Sequence, residues 1–312
     1  MKKVIITGAN GFVGSRLVKE MSDASVLVYA VVKDERENIE SISNLNGVHI
    51  IYCNMSEYDT LANKIAIING GVEVDVFFHF AWAGVSGEDQ ANFEVQLDNI
   101  YYSCKAFLSA TEMKVLKFVY AASIHEYEIM KQFEKNPSEI KYRQIYSAAK
   151  ISAHLMLSCL ANNSKVNFCS VIISNIFGPG EMSSRLINST IRGWLTENTA
   201  SFTHARQLYD FIYIDDAVKG IVKVGELGVH GRNYYLGSCR IMPLRQYLEI
   251  FKEIVNKKAK MKLNEIPFNG ESLTYSEFDV NLLYMDTGFK TETSFEDGIM
   301  KTTEWIKKQL LQ

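Results

Sequence analysis

Proline is scarce in this chain, with four residues among 312. Helices and strands are therefore seldom broken by a residue lacking an N–H, and no proline-rich linker separates domains. Cysteine is scarce too, and badly placed for pairing. The five thiols (Cys53, Cys104, Cys159, Cys169 and Cys239) are odd in number and scattered, with no C-x-x-C. That argues against a disulfide framework or a zinc site and predicts reduced thiols in a cytoplasmic protein. No apolar run approaches the roughly 18 residues of a membrane span. The opening Met-Lys-Lys leads only into Val4, Ile5 and Ile6, too short for a signal-peptide core. With 33 basic against 36 acidic residues the net charge is −3, so no basic excess invites nucleic acid or an anionic membrane. Repeats and low-complexity tracts are absent as well.

What is present is an ordinary globular composition, 47% hydrophobic and 22% charged. Apolar runs of strand type alternate with segments of helical spacing. Residues 4–7, 26–32, 48–53, 74–80, 117–122 and 166–173 read as strands. Residues 12–21, 58–68, 92–111 and 146–160 read as helices. Continuous apolar strands between helices predict an α/β fold, a Rossmann-type doubly wound parallel sheet, with right-handed crossovers. After Asn175 a Gly178-Pro179-Gly180 turn cluster opens shorter, more mixed segments. The expected division is a dinucleotide-binding domain over 1–174 and a smaller mixed α/β substrate-binding lobe over 175–312, with about 210–226 packing back on the first domain.

Residues 7–14, TGANGFVG, lie between the first strand and the first helix. Gly8 permits a sharp turn, Gly11 a close approach of backbone to pyrophosphate, and Gly14 tight packing of helix on sheet. The free N–H groups and positive end of that helix, entered through Asn10, Phe12 and Val13, suit the phosphates. Three glycines alone carry little weight, but this strand–loop–helix context makes them a dinucleotide site. At the end of the second strand, Lys33 favours a 2′-phosphate and so NADP, whereas Asp34 suits the free 2′-hydroxyl of NAD. Both stay open, with Lys33 tipping the reading toward NADP. Asn54 and Met55 after the third strand, and Phe80, Ala81 and Trp82 after the fourth, complete the expected cofactor contacts.

Tyr146 and Lys150 stand one helical turn apart on one face. A free tyrosine titrates near pH 10, too high for efficient proton transfer, and a neighbouring ammonium lowers that value. Lys150 also suits the nicotinamide ribose, and Ser123, at the end of a strand aimed at the same crevice, suits the reacting oxygen. Taken in order, these residues resemble the extended short-chain dehydrogenase/reductases that act on nucleotide sugars, over nearly the whole chain. The loop at 7–14 looks like their cofactor loop, and Asn99 like a helix asparagine of theirs in the cofactor site. Ser123, Tyr146 and Lys150 match their catalytic group. Residues 175–180, 210–216 and 293–298 resemble further segments of the family. The resemblance implies a nucleoside-diphosphate sugar as substrate and a homodimer made through the helices at 92–111 and 146–160.

Departures from the family narrow the reaction. Where its 4,6-dehydratases carry an Asp-Glu pair after the Ser/Thr, this chain has Ile124 and His125. Isoleucine cannot protonate a leaving hydroxyl, which disfavours dehydration. His125 is either an acid or base toward substrate or a satisfied histidine at a loop start, and His79 reads as structural. Where the family clamps diphosphate with an arginine before Asp-Phe, Tyr209 stands here, leaving Arg206, Arg185 or Arg192 for that role. Asn175 joins the expected substrate contacts. Two enzymatic readings follow. One is a 4-keto-sugar-nucleotide reductase of deoxysugar or cell-surface polysaccharide biosynthesis, favoured by Lys33; the other is an NAD-dependent 4-epimerase. A non-catalytic NADP-sensing regulator ranks below both, because such proteins lose the Tyr/Lys pair. No metal ligand set is expected.

Overall fold

Val4, Ile5 and Ile6 are fully buried in β1 (Lys3–Thr7), where branched apolar side chains suit a strand covered on both faces. The computed structural model describes residues 1–71, 73–268 and 270–311. From β1 the chain runs through α1 (Phe12–Asp23), β2 (Leu27–Val32), β3 (Val48–Tyr52), α2 (Leu61–Asn69), β4 (Val76–His79), α3 (Phe93–Glu112), β5 (Lys117–Ser123), α4 (His125–Lys135), α5 (Ile145–Asn162) and β6 (Asn167–Ile173). Then come β7 (Asn175–Phe177), α6 (Leu186–Thr196), β8 (Thr199–Ser201), β9 (Leu208–Tyr209), β10 (Phe211–Tyr213), α7 (Ile214–Leu227) and β11 (Asn233–Leu236). The chain ends with β12 (Met242–Pro243), α8 (Leu244–Val255), β13 (Lys260–Lys262), α9 (Leu282–Thr287) and α10 (Phe295–Leu310).

These elements form two compact units. The first comprises Met1–Ile173, Val218–Tyr235 and Asn281–Phe289; the second comprises Ser174–Ala217, Leu236–Val280 and the segment from Lys290 onward. In the first, a sheet runs in the order β11-β6-β5-β4-β1-β2-β3, and the pairings from β3 across to β6 are all parallel. The chain moves outward from β1 to β3, then returns to the other side of β1 with β4. The order therefore reverses between β1 and β4, and loops leaving the carboxyl ends of those two strands flank a crevice suited to a ligand. The fold is the doubly wound Rossmann type.

Two elements differ from the sequence reading. The sheet does not end at β6: Asn233–Leu236, a short NYYL run, adds a further edge strand beside it. Four residues carry too little periodicity to be read alone, and pairing with β6 makes them a strand. His125 does not begin a loop. It begins α4, an amphipathic helix that buries Glu126, Ile129 and Gln132 although nearly half its residues are charged. In the second unit β7 pairs with β10, β8 with β13, and β9 with β12. Phe177, Phe211, Tyr247 and Phe295 form its aromatic core, with Tyr247 and Phe295 centroids 4.6 Å apart.

Candidate active site

The glycine loop leaves β1 at the reversal of strand order. Gly8 adopts φ +67°, and a Cβ there would lie 2.9 Å from the backbone of Phe80 and Ala81, so the loop after β4 packs directly on it. At Gly14 a Cβ would stand 2.0 Å from the Gly8 carbonyl oxygen. No other residue fits that crossing of helix and loop. Gly11 is the N-cap of α1 without a side-chain cap, and the first turn, starting with Phe12 and Val13, carries no acid. No acid on that turn competes for its N–H groups, which fits the pyrophosphate of a dinucleotide. Asn10 donates to Glu37 at 3.1 Å, tying the loop to the segment after β2.

A buried polar chain fixes the loop after β4. Thr7 Oγ1 accepts from the N–H groups of Phe80 and Ala81 at 3.2 and 3.3 Å and donates to His79 Nδ1 at 2.8 Å. His79 Nε2 donates to Ser103 Oγ, which donates on to the Asn99 carbonyl. Burial holds the His79 pKa down to about 3, so the ring is neutral and belongs to the scaffold. Asn99 spends its amide on the loop, accepting from the Ala83 N–H at 2.8 Å and donating to the Ala83 carbonyl at 2.9 Å. Gln96, which the sequence reading passed over, donates to the carbonyls of Gly84 and Asp89 and accepts from Trp82 Nε1 at 2.9 Å. Trp82 is thereby pinned.

Trp82 meets Tyr146 and Lys150 directly. Lys150 Nζ lies 3.6 Å from the centroid of its ring, and Tyr146 packs edge-on against it at 6.2 Å. Lys150 also donates to the Ala121 carbonyl at 3.0 Å. The ammonium is thus flanked by an aromatic face and a strand-end carbonyl, both favourable to a cation with little water. Burial still drags its pKa down to about 7, an effect the charge of Glu126 opposes.

Ser123 ends β5, and its Oγ accepts from the His125 N–H at 3.3 Å. The His125 ring packs edge-on against Tyr146 at 6.1 Å, and its Nδ1 donates to Glu128 at 2.6 Å. His125 thus touches both Ser123 and Tyr146 and is oriented by a carboxylate one helical turn on. Ile124 is buried, so a hydrocarbon side chain follows Ser123 directly.

At the end of β2, Asp34 is clamped by Arg36 through two side-chain contacts, Nε at 3.1 Å and Nη2 at 2.8 Å. Those hydrogen bonds pull the Asp34 carboxyl down to about 2. Arg36 is a second residue that the sequence reading did not weigh. Asn54 caps the short turn 55–57 with its side-chain oxygen and leaves Met55 half-buried.

The remaining substrate assignments fall in the second unit. Asn175 donates from its side chain to the Asp210 carbonyl at 3.1 Å, within the β7–β10 joint. Arg185 is the exposed N-cap of α6, and Arg206 is exposed in the turn before β9. Tyr209 stacks on Phe211 at 5.3 Å. Asp210, fully buried, accepts from the N–H groups of Ser238 and Cys239, so this acid fixes a turn.

Residues 4–237 match the profile of the NAD dependent epimerase/dehydratase family. Among curated relatives, the CDP-abequose synthase of Salmonella muenchen is 21% identical, covering 96% of this chain and 96% of its own. The dTDP-D-glucose 4,6-dehydratase of Homo sapiens is 22% identical over 98% of this chain and 90% of its own. The solved UDP-glucose 4-epimerase of Thermotoga maritima superposes with a TM-score of 0.78 at 18% identity, over 99% of each chain. That likeness shows the fold.

Proposed function

The chain belongs to the NAD dependent epimerase/dehydratase family, and from that premise we propose that it reduces the 4-keto group of a nucleoside-diphosphate sugar. It is an NAD(P)-dependent enzyme of the extended short-chain dehydrogenase/reductase type. The observation that carries the reading is the cluster of buried Tyr146 and Lys150 with half-buried Trp82, near Ser123, with Ile124 in place of an acid. A dinucleotide held at the glycine loop would supply the hydride from its nicotinamide.

The chain's own groups do the rest. Ser123 Oγ donates to the C4 oxygen and orients it. Tyr146 gives its phenolic proton to the alkoxide that forms, and Lys150 stabilises the phenolate left behind. Trp82 and the Ala81–Gly84 loop keep water from the ammonium. Asn99 and Gln96 act through that loop. Asn175, Arg185, Arg206 and Tyr209 are the proposed contacts to the nucleotide and sugar.

Reduction is favoured over 4-epimerisation by the residues after β2. Arg36 neutralises the carboxylate of Asp34, and Lys33 adds a second cation beside it. That pairing suits the 2′-phosphate of NADP, a cofactor consumed in each turnover, better than the bare hydroxyl of NAD. The product is then a deoxysugar nucleotide for cell-surface polysaccharide synthesis. Incubation with NADPH and a 4-keto-sugar nucleotide tests this: stoichiometric NADPH oxidation is expected. Interconversion of C4 epimers without net cofactor change would replace it with the epimerase.

A further inference from the structure

On α5 the residues Tyr146, Lys150 and His154 follow one another at intervals of four, so they form one stripe, and all three are buried. The stripe runs one turn past the catalytic pair, and it ends on an acid. His154 Nδ1 donates to Glu126 Oε2 at 2.7 Å, and the other Glu126 oxygen accepts from the Ser123 N–H at 3.0 Å. On the far side, His154 Nε2 faces Asn233 Oδ1 at 3.1 Å, and Ser170 donates to the same oxygen at 2.7 Å. Glu126 has no exposed surface at all. Tyr120 closes the group, with its ring 5.6 Å from that of His154 and 5.2 Å from Lys150 Nζ.

A carboxylate this deep is costly unless hydrogen bonds and an opposite charge offset its desolvation. The two N–H donors supply part of that, and the charge of Lys150, on the same helix face as His154, adds an attraction. We infer that Glu126 is a positioning residue of the catalytic group: its carboxylate holds the end of β5 through the Ser123 N–H and provides the counter-charge of Lys150, while His154 fixes its orientation. The inference rests on the Tyr146 and Lys150 chemistry proposed above.

The neighbouring groups leave that electrostatic role to Glu126. Burial pushes the Tyr120 phenol well above its usual range and raises the Cys104 thiol of α3, so both stay protonated near pH 7. His79 of β4 is neutral there, and Tyr127, beside Glu126 on α4, is pushed up as well. Tyr146 and Lys150 stand one turn apart on the same buried face of α5. Removing a nearby negative charge makes proton loss easier for either member. The sign of the effect therefore does not depend on which of the two titrates first.

The test is the pH dependence of kcat/KM in the reductive direction, measured for wild type, E126Q, E126D and H154Q. The pH dependence of NADPH binding by the free enzyme, followed by fluorescence, is measured in parallel. E126Q keeps the shape and loses the charge, so its alkaline limb is expected about one pH unit lower. E126D keeps the charge and is expected to retain the wild-type limb. H154Q leaves the carboxylate in place and is expected to move the limb no lower. An E126Q limb identical to wild type, or an equal fall in H154Q, overturns the inference in favour of a purely structural role. Should E126Q not fold, the double variant E126Q/H154Q, which removes the charge together with its buried partner, decides: a limb about one unit lower supports the inference and a wild-type limb overturns it. A wild-type protein inactive on keto-sugar nucleotides sinks the reductase reading alone, because the limb in NADPH binding still decides the role of Glu126.

Discussion

Lys150 sits at the centre of the site, and its burial has a measurable price in stability. Its pKa of about 7 in the folded protein lies below the ordinary 10.5, so between those values the unfolded chain binds the extra proton. Stability from this group therefore rises with pH across that window, and below it the desolvation cost is felt in full. The variant K150M is expected to melt above wild type at pH 6, with the gap closing toward pH 10, as read by thermal unfolding without ligand. A gap independent of pH would show that the lysine is not held in this strained protonation state. Tyr146 is tested through activity. Y146F is expected to lower kcat about 100-fold or more while NADPH binding persists. Biological activity that survives this change would favour the sensing role over both enzymes.

At the scale of elements, the contact between the glycine loop and α1 is the least forgiving. G14A places a methyl 2.0 Å from the Gly8 carbonyl, which no rotamer relieves. It is expected to destabilise by about 1–3 kcal/mol and to abolish dinucleotide binding, whereas G11A, whose methyl would lie 3.3 Å from the same oxygen, should cost much less stability and act mainly on dinucleotide binding. Calorimetry of both variants with NADPH separates them. This loop was legible in the sequence because its spacing is local and its flanking strand and helix are strongly patterned. The parallel sheet was legible for the same reason. α4 and β11 were not, since a helix rich in charge and a four-residue strand acquire their places only by packing. Glu126 and Gln96 escaped notice for a related reason: their partners lie elsewhere in the sequence, such as His154, 28 positions from Glu126, whereas Arg36 lies only two residues from Asp34 and the local conformation alone brings the two together. The stripe of Tyr146, Lys150 and His154 was the one local signal that pointed toward Glu126.

For the whole molecule, the outer faces of α3 and α5 carry Phe93, Leu97, Tyr101 and Leu155, each more than half exposed. An apolar surface of this kind on two adjacent helices suits a second copy of the chain. The double substitution L97E/Y101E is expected to convert a homodimer to monomer in analytical ultracentrifugation without changing the circular dichroism; an unchanged sedimentation coefficient would remove this face from consideration. The chain's three tryptophans are divided unevenly: Trp194 is buried in the second unit, Trp305 lies on α10, and Trp82 alone stands against Lys150. An indole with an ammonium over its face emits differently from one beside a neutral amine. The emission of Trp82 is therefore a built-in optical gauge of the charge state of Lys150, readable through a W194F/W305F background without any added label.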